Sequence, residues 1–255
     1  MKFRDLAPLL QRKDRPAKED LVIRIDGRPV DLSVVRSPRA RRFILKVANG
    51  AMKIQLTMPA RARVTDALDF AHSQSGWISE RIALMPDPVV FEHGALVPVR
   101  GVKHRIASRS GGRGAVWQES GGRWPQLCVA GEADHLPRRV KDWMKREARC
   151  DLDEAVSRYA KALGVRPRRL SLRDQSSRWG SCSAAGTLSF SWRLVLAPPF
   201  VLDYVAAHEV AHIREMNHGA KFWAHVDRVC PHMEEARDWL RIHGPELHRY
   251  GANAG

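Results

Sequence analysis

The stretch HEVAHIREMNH, residues 208–218, constrains this chain more than any other. It sets His208 and His212 four apart, puts Glu209 beside the first, and adds His218 a short way on. On a helix of about 3.6 residues per turn, residues four apart stand one above the other on one face. Two imidazoles so placed can grip a single ion, and Glu209 at the edge of that face can reach a water on the ion without being a ligand. Leu202, Ala206, Val210 and Ile213 form a separate apolar stripe on the same helix. The helix is therefore expected to anchor one side in a core and turn its histidines to a cleft.

Catalytic zinc usually takes three protein ligands and leaves one position for water. His218 is the third candidate if the chain turns near Glu215, Met216 and Asn217. Asn217 tolerates the left-handed backbone such a turn often needs, and Gly219 adds freedom. The competing reading is a set of ordinary hydrogen-bonded histidines. An HExxH string arises by chance in a chain of this length on the order of a few per cent of the time, and the helical context with a third histidine weighs against chance. Zinc there would lower the pKa of its water to about 7 and polarise a carbonyl. Glu209 would take the proton as the water attacks and pass it to the leaving nitrogen, so the product is a hydrolysed amide, most simply a peptide bond. Arg178, Tyr204 and His225 are candidates to stabilise the oxyanion, and the sequence does not choose among them. The histidine spacing equals that of the long metzincin motif. Glu215 stands where that motif has glycine, and no Met-turn signature follows, which argues against that class.

Charge bears on the partners. The net charge is +15 and the sequence pI about 10.4, a field that attracts polyanions. Arginines gather in RSPRARR (36–42), HRIASRSGGRGAV (104–116) and RPRR (166–169). These runs are compatible with nucleic-acid association, although no recognised nucleic-acid-binding motif accompanies them. The longest apolar runs, such as LVLAPPFVL, are short and contain proline, so no transmembrane helix is expected. The N-terminus lacks a secretory h-region, and a cytoplasmic location is expected. Four scattered cysteines without a CxxC pair argue against a zinc ribbon or a disulfide scaffold and read as free thiols.

The rest of the chain reads as strands, then helices. Residues 1–19 form a polar, flexible lead-in. LVIRIDGRPVDLSVVRS alternates apolar and polar residues around Asp26-Gly27, a hairpin pattern. RRFILKVANGAMKIQLTMP repeats it around Asn49-Gly50. VTDALDFAHSQSGWISERIALM has helical periodicity, weakened by Gly76 to the point that two shorter helices would also fit. Short strand-like pieces follow through residue 130. Pro137 opens a long helix that Gly164 stops. RLSLRD and TLSFSWRLVL are strand candidates. Pro199 starts the helix of the histidines, and AKFWAHVDRVC and MEEARDWLRIHG are two more helices. No internal repeat is visible. The fold class is α+β, with a β-rich N-terminal half and a helical C-terminal half.

Several motifs together resemble the YgjP-like metallopeptidases, relatives of the SprT-like and WLM zincins. They are RWGSCS (178–183), SWRL (191–194), HEVAH (208–212), Asn217-His218 and Phe222-Trp223. RSPRARRFILKV (36–47) and GWI (76–78) extend the likeness into the N-terminal half. The resemblance implies a zincin-type domain over 137–255 behind a β-rich region over 20–136. It implies His208, His212 and His218 as zinc ligands, Glu209 as general base, and a protein or peptide as substrate. Trp179 reads as a core plug, and Phe222 and Trp223 as braces for the His218 loop. The alternative reading is a nucleic-acid-associated binding protein in which a structural zinc locks the C-terminal helices.

Overall fold

Alternation dictates the first hairpin. In β1 (Lys18–Ile25) and β2 (Arg28–Ser37), Ile23, Ile25, Val30, Leu32 and Val34 are buried while Arg24 and Asp31 are exposed. The strands pair antiparallel with Ile25 opposite Arg28. Asp26 and Gly27 both take positive φ, 49° and 77°, as the type I′ turn between two such strands requires. In the computed structural model, the described residues are 18–47, 53–83, 87–111, 114–175 and 178–251. The expected lead-in thus falls outside them up to residue 17, and Glu19 already belongs to β1. The Asn49-Gly50 turn also lies outside them, but the strands it was expected to join, β3 (Ile44–Val47) and β4 (Lys53–Pro59), pair antiparallel. Because β4 runs parallel to β2, the sheet order is β1-β2-β4-β3.

Two helices, α1 (Val64–Ser73) and α2 (Ser75–Ala83), bury Ala67, Ala71 and Ile78 in one cluster with the strand residues. The helical stretch breaks at Gln74, and Gly76 sits inside α2. The Ser73 hydroxyl donates to the Phe70 carbonyl at 2.8 Å, the local competition that ends helices at serine. This is the first of two compact units. The second holds the described residues from Asp87 onward.

The second unit opens with the same device. β5 (Leu96–Val99), β6 (Val102–Arg109), β7 (Val116–Glu119) and β8 (Gln126–Ala130) form a sheet in the order β5-β6-β8-β7. Its pairings are antiparallel, parallel, antiparallel, as in the first sheet. The turn between β5 and β6 is Arg100-Gly101, with φ of 50° and 79°. A non-glycine residue in that region is uncommon. Arg100 is held there because its N–H donates to the Val195 carbonyl at 2.6 Å and its guanidinium grips Asp151 at 2.7 and 2.9 Å and Glu147 at 3.0 Å.

Helix α3 (Leu136–Leu163) carries Pro137 near its start and ends on Gly164 at φ 63°, the left-handed cap expected of glycine. It serves two clusters. Leu136, Val140, Trp143, Met144 and Ala148 pack with β5, β6 and β8, whereas Leu152, Val156, Tyr159 and Leu163 pack with the helix of the histidines. The boundary expected at residue 137 therefore lies within a shared core, since Val97, Ile106 and Leu127 before it cluster with Val140 and Met144 after it.

A three-stranded sheet follows, ordered β10-β11-β9: β9 (Arg169–Arg173), β10 (Gly180–Cys182), β11 (Thr187–Ser191). The strand expected through Leu196 stops at Ser191, whose hydroxyl accepts from the Arg193 N–H and caps a 3-10 turn over Trp192–Leu196. Next come α4 (Pro199–Ala211), α5 (Ala220–Val229) and α6 (Met233–Leu247). Helix α4 begins on Pro199 as expected but ends at Ala211, several residues before the end that periodicity suggests. The Arg214 and Glu215 N–H groups both turn back to the Ala211 carbonyl at 3.0 Å and close the helix there. No helix among the described residues is long and apolar enough to cross a membrane. All four cysteines are free, with Cys128 and Cys230 buried and Cys150 exposed.

One buried polar group fastens the C-terminal end. Arg193, 6% exposed, donates through Nε to Asp174 at 3.1 Å and through Nη1 to the carbonyls of Leu247, at 3.3 Å, and Tyr250. Its guanidinium also lies over the Trp192 ring at 4.5 Å. Arg193→Met keeps the long stem but removes every donor. We expect it to cost about 2–3 kcal/mol, below the value for a fully buried pair because Asp174 is partly exposed. Urea unfolding measures this, and a loss under about 0.5 kcal/mol, the range of ordinary surface changes, would refute the anchoring role.

Candidate active site

Helix α4 is buried on nearly every side. Val201, Leu202, Val205, Ala206, Ala207, Val210 and Ala211 are all below 6% exposed. The stripe read from the sequence is thus only part of a larger apolar surface, and Ile213, its expected last member, packs beyond the helix end as a partly buried residue. His208 is half-buried, His212 buried and His218 exposed, so the three run from the interior to the surface.

The three rings converge. Centroids of His208 and His212 lie 4.9 Å apart, those of His208 and His218 5.1 Å, and those of His212 and His218 4.6 Å. Each offers one nitrogen within 4.8 Å of the others, and the Nε2 atoms of His208 and His218 face each other at 3.1 Å. Two of the outer nitrogens are occupied. His212 Nδ1 lies 3.1 Å from the Glu215 carbonyl, which can only accept, so the ring proton sits there and Nε2 keeps its lone pair. His208 Nδ1 lies 3.4 Å from the Tyr204 hydroxyl, one helical turn back. Phe222, fully buried, stacks on His212 at 4.5 Å and meets His208 and His218 edge-on at 4.9 and 4.8 Å. Trp223 flanks His208 and His218 at 5.8 Å, and the Arg237 guanidinium covers Trp223 at 5.0 Å. Both aromatic residues brace the histidines, the role expected of them.

Glu209 is 6% exposed and lies against β10. A Cβ on Gly180 would stand 2.5 Å from the Glu209 Cγ and 2.6 Å from Oε1. Glycine at that position is therefore what lets the carboxyl rest against the strand. Burial pushes the Glu209 carboxyl up to about 7, against the opposing pull of the Arg178 charge. Burial also drives His208 down to about 3, helped by His212 and His218, and lowers His212. These rings stay neutral at ordinary pH. Three imidazoles whose nitrogens converge, two of them with outer nitrogens already engaged, form a donor set that fits a cation of the zinc type.

The three oxyanion candidates separate. Tyr204 is buried, and its hydroxyl meets the outer nitrogen of His208, on the side away from the convergence point. Arg178 is exposed, donates to Gln175 at 3.2 Å, and is close enough for its charge to act on Glu209. His225 sits on α5 with no ring contact to the three histidines among the described residues. Trp179 packs against both clusters of the second unit and stacks on His248 at 4.9 Å, the core role expected of it. Residues that the sequence reading passed over are Gly180, for its contact with Glu209, and the Glu215 carbonyl. Only the one-turn spacing of Tyr204 and His208 left a readable trace.

A family model described as YgjP-like, metallopeptidase domain, matches residues 41–243. No curated relative matches the chain. Two solved structures share part of it. The zymogen of abylysin, a metallopeptidase of Pyrococcus abyssi, is 21% identical over 36% of this chain and 92% of its own, with a TM-score of 0.33. The zymogen of jannalysin, a metallopeptidase of Methanocaldococcus jannaschii, is 22% identical over 37% of this chain and 88% of its own, with a TM-score of 0.32.

Gly180→Ala tests the contact between strand and carboxyl. The added methyl meets Glu209 at less than van der Waals distance, so the carboxyl must move. If Glu209 acts in peptide hydrolysis, turnover is expected to fall at least ~10-fold, since displacement by about 1 Å is costly to a group that acts at a reacting centre. Metal content and thermal midpoint should change little. Unchanged turnover in this variant would show that Gly180 does not position Glu209.

Proposed function

Because the chain belongs to the YgjP-like metallopeptidase family, we propose that His208, His212 and His218 hold one zinc ion and that Glu209 is the general base for peptide-bond hydrolysis. The observation that carries this reading is the convergence of three imidazole nitrogens within 4.8 Å, with a buried carboxyl on the residue next to the first. An all-nitrogen donor set favours zinc over calcium or magnesium, which take oxygen ligands. Zinc bound there would polarise an amide carbonyl and acidify water.

The chain's own residues supply the proton chemistry. The Glu209 carboxylate takes a proton from the attacking water as the oxygen adds to the carbonyl carbon. It then gives that proton to the amide nitrogen as the carbon–nitrogen bond breaks. Its elevated pKa, about 7, suits a group that must both accept and return a proton near neutral pH. Tyr204 and the Glu215 carbonyl orient the His208 and His212 rings from behind. Arg178, exposed and closest in charge to Glu209, is the remaining candidate to face the oxyanion or a substrate carboxylate. The substrate is a protein or peptide. A purely structural zinc would take four protein ligands, and the described residues offer three, which supports the catalytic reading over the structural alternative.

Purified protein is expected to carry one zinc per chain by elemental analysis and to cleave unfolded protein with release of new termini. A strong chelator should abolish cleavage, and added zinc should restore it. Glu209→Gln should keep the metal and lower kcat/KM by roughly 10²–10⁴-fold. His212→Ala should lose stoichiometric zinc. Cleavage that survives chelation, or survives Glu209→Gln undiminished, contradicts the mechanism.

A further inference from the structure

We propose that one end of the first sheet is a docking surface for the phosphate backbone of a nucleic acid. Strand pairing creates the surface. Ser37 stands opposite Pro59 where the parallel strands β2 and β4 end, and Ile44 stands opposite Thr57 where β3 begins. The connection 38–43 therefore crosses the end of β4 and lies beside the connection 60–63. Arg36, in β2 just before the first connection, holds the second by donating through Nη1 to the carbonyls of Ala60 at 3.2 Å and Ala62 at 2.8 Å. Each connection is also tied to its own strand. The Ala40 N–H donates to the Ser37 carbonyl at 3.2 Å, and the Ala62 N–H to the Pro59 carbonyl at 3.1 Å.

This frame presents Arg39, Arg41, Arg42 and Arg61, all exposed. None of the four guanidinium groups has a hydrogen-bond or ion-pair partner among the described residues, whereas their neighbour Arg63 is spent on Asp66 at 2.9 Å. From Leu32 to Thr65 the sequence contains no aspartate or glutamate. Most surface charge runs are solvated and offset by nearby acids. Here two adjacent connections, each tied to the end of its strand, concentrate cations at one edge, and no acid within the segment neutralises them.

The chemistry selects the partner. Planar guanidinium forks match phosphate oxygens in pairs. A nucleic acid offers one charge per about 1.7 Å of duplex and releases counterions as each phosphate is neutralised. The +15 charge of the whole chain favours such a dense linear polyanion over a short acidic peptide. Clustered arginines that face phosphates carry no sequence information directly, so the contact is to the backbone and indifferent to base sequence.

The test uses full-length protein and a fluorescent 25-base-pair DNA duplex, read by anisotropy between about 50 and 200 mM salt. Replacing Arg39, Arg41, Arg42 and Arg61 together by alanine should weaken binding at least ten-fold and flatten the log K against log salt slope by about 3–4. A control with the same change of charge, at Arg146, Arg166, Arg168 and Arg169, should lose less than three-fold. Equal losses in the two variants, or none in the first, overturn the proposal. So does displacement of the duplex by polyglutamate or by phosphatidylserine vesicles as readily as by unlabelled DNA at matched charge. If the alanine variant melts early, R41E/R42E must give the same loss, and its failure to do so counts against the surface. Cleavage of a short neutral peptide should be unaffected throughout, so failure here leaves the hydrolytic reading standing.

Discussion

The second unit depends on the burial of α4. Most of its side chains are apolar and nearly inaccessible. At about 1.5–3 kcal/mol for each large apolar residue removed from water, that surface holds the helix in place with a wide margin. The margin matters because the same helix carries groups that oppose burial. Desolvation, the largest cause of each shift, moves Glu209 up to about 7 against the Arg178 charge and, with His212 and His218, moves His208 down to about 3. Both shifts favour the uncharged form. The core therefore tolerates the polar face by keeping it neutral, and a neutral imidazole is the form that can donate a lone pair to a cation.

The early end of α4 has a consequence of its own. The helix closes at Ala211, and His212 occupies the position where helical hydrogen bonding stops. A chain that continued helically would carry His218 onward, away from His208. The turn after Ala211 brings it back until its Nε2 stands 3.1 Å from that of His208. The same turn leaves the Glu215 carbonyl behind His212. A helix C-terminus also presents partial negative charge, worth about 0.3–1 kcal/mol to a nearby cation. The convergence of the three imidazoles, their ring orientation and the local field thus share one cause, which is the place where the helix ends.

Much of this was legible in the sequence. Four-residue spacing puts His208 and His212 together, and the Asp26-Gly27 dipeptide marks its hairpin in the sequence itself. Other features left no pattern to find. Helix ends depend on competing hydrogen bonds of similar strength, so periodicity carried α4 past Ala211 and put the possible break between α1 and α2 at Gly76 rather than at Gln74. Gly180 acts by having no side chain, and its significance exists only once Glu209 is across from it. Arg193 looked like part of a strand because Trp192–Leu196 is apolar and β-prone, yet the segment is a buried 3-10 turn. Tertiary contacts there override local preference.

The repeated sheet was hidden for a related reason. Both four-stranded sheets share strand order, strand directions and a two-residue turn ending in glycine with both φ positive. These are backbone properties, set by the right-handed twist of paired strands, and they leave the side chains nearly free. One turn is Asp26-Gly27 and the other Arg100-Gly101, so the sequences do not look alike. That freedom also lets the two frames carry different electrostatics. At the end of β6, Arg109 is matched by Gln126 at 2.6 Å and Glu119 at 3.7 Å. At the corresponding end of β2, Arg36 is turned inward to clamp the backbone, and the arginines beyond it face no acid from their own segment. A sheet frame that fixes loops without specifying their charge can pair an arginine with an acid at one sheet's end and leave several arginines without one at the other, at little cost to the fold.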